Sequence, residues 1–168
     1  MITQQDVIIK DLTMQEETNN LLNKKVGAML VATGILSRVM ALQEYAARNF
    51  EITPEQYLIL SIIMDAGEEL YQRQISEITH KDRPNISRII NILEEHGLVK
   101  RIEDSNKRKI YKIAITEKGK ELRLKIQPTM YKLRAITTAG ISDEDLEKTL
   151  KVLEKMQTNM RDKVTLQI

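Results

Sequence analysis

The sequence predicts a mainly α-helical protein with a small β-hairpin wing. Three observations carry that prediction. Apolar residues recur at three- and four-residue spacing through most of the chain. A single stretch, between Gly97 and Thr116, alternates β-forming residues with Lys and Arg. Helix caps and stops, namely Thr53, Asp82, Gly97, Thr116 and Ser142, fall at the edges of the periodic runs. With 168 residues, 42% of them hydrophobic, the chain is long enough to bury a core.

Residues 1–20 are polar and acidic around a short apolar cluster at Val7, Ile8 and Ile9, and read equally as a flexible arm or a docked segment. A long helix is expected over 21–50. Its apolar residues, among them Leu22, Val26, Leu30, Ile35 and Val39, wrap more than one stripe, which suggests burial on two sides. At "TPEQ" Thr53 caps a second helix, Pro54 suits its first turn, and Gln56 completes a capping box; this helix ends near Gly67. A short helix over 73–79, a turn at 80–82 and a helix capped by Asp82 and stopped by Gly97 follow. Two strands, "LVKRIE" and "KIYKIAI", form a hairpin around "DSNKR". Thr116 caps the next helix, which Pro128 should kink or break near Gln127. Ser142, followed by Asp143, Glu144 and Asp145, opens a last helix whose Leu146, Leu150, Leu153, Met156 and Met160 leave one face in need of a partner.

Composition excludes several functions. Without cysteine there is no disulfide framework, thiolate metal site or thiol switch, and two scattered histidines, His80 and His96, make no metal site; no metal and no cofactor are expected. Adjacent acids such as Glu16-Glu17 and Glu94-Glu95 point in different directions on a helix, and no nucleophile or phosphate loop accompanies them, so no enzyme is expected. No run was expected to approach the roughly 18–20 apolar residues of a membrane helix, and the amino terminus has no signal-peptide pattern, so a cytoplasmic protein without a membrane partner is expected. The net charge of +2 is unevenly spread. Residues 72–112 hold ten Lys/Arg against six Asp/Glu, while residues 1–71 hold five against ten.

The basic excess surrounds "RPNISRIINILEEHGLVKR". There Ile86, Ile89, Ile90 and Leu93 form an apolar stripe opposite Asn85, Ser87, Arg88 and Asn91. Taken alone, that polar face describes any solvated helix. In sequence with a preceding short helix and turn and a following basic hairpin, it describes a winged helix-turn-helix. The second helix can enter a major groove about 12 Å wide and offer donors and acceptors to bases, while Lys107, Arg108 and Lys109 at the wing tip reach phosphates or the adjacent minor groove.

These residues resemble the MarR family of bacterial transcriptional regulators. The likeness rests on "ITPEQYLIL", "QISEIT", "RPNISRIINILEEHGLVKR", "AITEKGKEL" after the hairpin, and "AGISDEDLEKTLKVLEKM", and covers roughly residues 25–160. The resemblance implies a winged helix-turn-helix lobe at 51–116, a helical dimerisation region at 21–50 and 117–168, and an N-terminal extension at 1–20. It also implies a homodimer that binds a pseudo-palindrome in double-stranded DNA, most often as a repressor released by a small-molecule effector held between the dimer helices and the lobe. Arg83, Pro84, Asn85, Ser87, Arg88 and Asn91 occupy the family's recognition-helix positions, with Arg88 the foremost candidate. The wing departs from the family's Asp-x-Arg: Asn106-Lys107-Arg108 fits with one residue extra before "AIT", whereas an ungapped match places Lys107 and Lys109 there. Thiol-based peroxide sensing, known in part of the family, is excluded by the absence of cysteine. The alternative is a winged-helix module that binds an acidic protein partner.

Overall fold

A computed structural model of the chain describes residues 4–104, 110–161, 163 and 164, with side chains described at 18 and from 20 onward within those ranges. Two units are described separately, residues 1–43 and 44–168.

Helix α1, Gln4–Ala47, runs through the first unit and ends in the second. The polar segment expected as an arm or docked segment is thus helical from Gln4. Neither Gly nor Pro interrupts the chain before Gly27, so nothing in it stops the helix from extending toward the amino terminus. From Leu21 to Leu42 most apolar side chains are exposed, including Met29 at 65% and Leu36 at 69%, while Val26 and Met40 are half-buried and Ala41 is buried. The stretch Asn20–Ala47 is also long and apolar enough to cross a membrane by length and composition. This corrects the expectation that no run approaches that level: between Lys25 and Glu44 the only charge is Arg38, and Gly, Ala and Thr fill the intervals that looked polar enough to break the run.

In the second unit, α2, Pro54–Asp65, begins with the expected capping box: Thr53 Oγ1 accepts from the Gln56 amide and Gln56 Oε1 from the Thr53 amide. Strand β1, Leu70–Tyr71, was not foreseen. Two residues are too few to show an alternation, and the strand exists because it pairs with a distant one. Helix α3, Gln72–Thr79, ends at His80, which adopts the left-handed conformation (φ 52°) and turns the chain toward α4, Arg83–Glu95. Asp82 caps α4 by accepting from the Asn85 amide at 2.8 Å, and Gly97 (φ 70°) stops it.

Strands β2, Val99–Glu103, and β3, Tyr111–Ile115, pair antiparallel from Val99 against Ile115 to Glu103 against Tyr111. With β1 they form a three-stranded sheet in the order β1-β3-β2. Ile59, Leu60 and Ile63 of α2, Ile75 of α3, four residues of α4, and Leu98, Val99 and Ile113 of the sheet region join in one buried core. Tyr45, at the end of α1, packs edge-on against Phe50 and Tyr57 at its margin.

Helix α5, Glu117–Thr137, is capped by Thr116, whose Oγ1 accepts from the Gly119 amide. It passes through Pro128 without ending, so the break expected as one of two outcomes does not occur. Pro128 lacks the amide that would bond to the Leu124 carbonyl. Both residues lie on an exposed side of the helix, while the buried Ile126, Thr129 and Leu133 anchor it on either side. Helix α6, Asp143–Arg161, begins at Ser142, whose Oγ accepts from the Asp145 amide, and has no buried residue.

Candidate nucleic-acid interface

The stripe Ile86, Ile89, Ile90 and Leu93, each no more than 1% exposed, fixes the rotation of α4 about its axis. Arg83, Pro84, Arg88 and Asn91 are consequently exposed, and Asn85 and Ser87 half-buried. The connection from α3 is held from within. Ser76 Oγ donates to the Lys81 carbonyl, and Lys81 Nζ reaches Glu55 of α2 at 2.5 Å.

Along one side of α4 lies an open groove of about 980 Å³. Arg83, Ser87 and Asn91, spaced four residues apart, form its α4 wall. Gln72, Arg73 and its ion-pair partner Glu77 from α3, and Arg101 and Tyr111 from the sheet, are among the residues that line the rest. The groove therefore brings together half of the expected α4 residues. Arg88 lies at a different angle, where its guanidinium donates to Asn85 Oδ1 at 3.4 Å, and neither it nor Pro84 or Asn85 lines the groove. Lys107, Arg108 and Lys109 lie outside the described residues.

Sequence reasoning missed Arg101. Its guanidinium makes an ion pair with Glu94 and, through the other terminal nitrogen, donates to Asn91 Oδ1 at 2.6 Å. The Arg101 amide also donates to Glu94 Oε1 at 3.3 Å. The available signal was the doubling back at Gly97, which returns a five-residue strand alongside the helix that precedes it. Gln72 and Arg73 were missed because a short helix read as scaffold gives no sign that its first turn opens into the same groove. Ser87 Oγ donates to Gln72 Oε1 at 3.4 Å, linking the two helices there.

The base of the wing is braced as well. Tyr71 hydroxyl donates to the buried Asp104 carboxylate at 2.6 Å, and Lys112 Nζ lies 5.6 Å from the Tyr71 ring centre. Holding its proton against that carboxylate, with some desolvation added, raises the Tyr71 pKa above the ordinary phenol value. A second, apolar groove of about 630 Å³ lies between the end of α3, at Ile78 and His80, and the end of α6, at Met160, Arg161 and Val164. Among the described residues no cluster of His, Asp and Glu is arranged to hold a metal ion.

A short helix, a tight turn, a second helix with its polar face outward and an antiparallel wing define a winged helix-turn-helix. Residues 50–110, which span most of those elements, match the sequence model of the MarR family. Solved structures agree over a longer span. The transcriptional regulator SlyA is 26% identical, covering 84% of this chain and 95% of its own, with a TM-score of 0.68. MepR of S. aureus, solved as a DNA complex, is 20% identical and covers 79% and 96%, with a TM-score of 0.70. A MarR-family transcriptional regulator from Rhodococcus sp. RHA1 is 22% identical and covers 80% and 95%, with a TM-score of 0.71. The winged lobe is thus similar to the MarR family model, and the fold is shared with MarR-family transcriptional regulators of known structure.

Proposed function

We propose that the protein is a sequence-specific DNA-binding regulator, a repressor acting as a homodimer on a pseudo-palindromic site. The observation that carries this reading is the groove beside α4, where Arg83, Ser87 and Asn91 share one wall with basic residues opposite. A groove so lined suits a duplex edge: arginines meet phosphates, and serine and asparagine meet base edges. MepR, which shares the fold, was solved as a DNA complex, and this supports DNA as the partner here.

Two copies are needed for a pseudo-palindrome, with recognition helices about 34 Å apart. The exposed apolar side chains of α1 between Leu21 and Leu42, and Leu150 and Met160 of α6, supply the surface that a second copy would cover. That occupant would account for the apolar run of α1 without a membrane, and a DNA target agrees with a cytoplasmic protein. The apolar groove between α3 and α6 suits a small amphipathic effector whose binding favours one dimer geometry over another. A likeness in fold to an organohalide-sensing regulator solved in its 2,4-dichlorophenol-bound form agrees with an effector of that kind.

The test is selection of bound sequences from random duplex DNA, followed by affinity measurement across salt concentrations. A two-fold related motif and a steep fall in affinity with salt are expected, with Arg83→Ala and Arg88→Ala each reducing binding. Failure to retain any DNA at low salt, with capture of an acidic protein instead, would overturn the proposal in favour of a protein-interaction module.

A further inference from the structure

Resting on that DNA-binding reading, we infer that Arg101 is a positioning residue that sets which base Asn91 reads, turning Asn91 into a reader of guanine or thymine and away from adenine. Asn91 and Glu94 stand three residues apart on α4, so one guanidinium fork can bridge both, and Arg101 does so. A guanidinium has donors only. The atom that Asn91 turns toward it, at 2.6 Å, is accordingly the carboxamide oxygen, and the amide nitrogen is left for the groove.

An asparagine free to present both of its polar atoms recognises adenine in the major groove, accepting from N6 and donating to N7. With one lone pair of its oxygen taken and the guanidinium flanking it, Asn91 offers N6 a weaker and more crowded acceptor. It retains two N–H donors, which match O6 and N7 of guanine or O4 of thymine. The Glu94 pair reinforces the arrangement, because it anchors Arg101 from a second direction.

The ion pair and the Asn91 contact separate in Arg101→Lys. An ammonium on a single stem keeps the positive charge beside Glu94 but has no planar fork to span both partners. Random-duplex selection on four full-length proteins tests the inference: the natural sequence, Asn91→Ala, Arg101→Lys and Arg101→Met. The base position contacted by Asn91 is the one whose preference flattens in Asn91→Ala. At that position the natural protein is expected to favour guanine or thymine. Arg101→Lys is expected to shift the preference toward adenine by roughly tenfold, with the rest of the motif unchanged. Arg101→Met, confirmed as folded by circular dichroism, is expected to shift it in the same direction with weaker overall binding.

Adenine preferred at the Asn91 position by the natural protein overturns the inference, as does an unchanged preference in both Arg101 variants, or a flattened motif throughout. Loss of all DNA selection by the natural protein instead overturns the DNA-binding reading itself, and so is distinguishable. In the free protein, the Asn91 side-chain amide resonances are expected to move in Arg101→Lys; no movement in these signals also counts against the inference.

Discussion

Helices α4 and α6 carry the same kind of pattern and meet opposite fates. Both place apolar residues three and four apart with charge on the other side, yet α4 buries Ile86, Ile89, Ile90 and Leu93, while α6 buries nothing. The difference lies in what surrounds them. α4 follows α3 after a three-residue turn and precedes β2 after Gly97, so its neighbours are delivered by short connections. α6 follows α5, and among the described residues its Leu150 and Met160 stay 59% and 53% exposed. Amphipathicity specifies that a face must be covered; it does not specify by what.

The largest effects should fall on the packed side of this comparison. Leu93→Ala removes a fully buried side chain and is expected to lower unfolding free energy by about 2–5 kcal/mol in urea titrations, independently of protein concentration. Gly119→Ala should cost roughly 1–3 kcal/mol, because a Cβ there would collide with the Leu98 carbonyl oxygen and lie 2.9 Å from Ile115 Cγ1. The backbone atom cannot swing aside, so the closure of the wing onto α5 must shift, and the same titration reports it.

Smaller effects sharpen the other side. Asp82→Ala deletes the cap of α4 and should cost about 1 kcal/mol by thermal melting. Leu150→Ala should change the stability of a dilute single chain by only about 0.5 kcal/mol or less, as for any exposed site. If a second copy covers α6, however, sedimentation equilibrium of Leu150→Ala will show weaker self-association. A loss of stability as large as that of Leu93→Ala at every concentration would mean that α6 is covered within its own chain, and would break the comparison.

Sequence alone reached far where the cause was local. Thr53 with Gln56, Asp82, Gly97, Thr116 and Ser142 mark helix ends through bonds made within three or four residues, and all five function where the spacing placed them. The stripe of α4 was legible for the same reason, since its periodicity is set by one helix. Of the kink or break expected at Pro128 the break does not occur, because the cost of a proline depends on which side of α5 faces outward, and Pro128 lies on an exposed side.

What only the tertiary structure decided depends on residues far apart in sequence. β1 becomes a strand by pairing Leu70 with Ile113, and its two residues carry no pattern of their own. The groove gathers α3, α4 and the sheet, so that Arg83, Ser87 and Asn91 share its lining with Arg73 and Arg101, residues distant from them in sequence or in fold. The hydrogen bond from Arg101 to Asn91 spans the turn at Gly97 and orients a side chain whose two polar atoms look alike in sequence. Periodicity and capping determined which elements form and which face of α4 turns outward, because those forces act within a few residues. The chemistry that face presents came from packing, because only there do distant side chains take up one another's donors and acceptors.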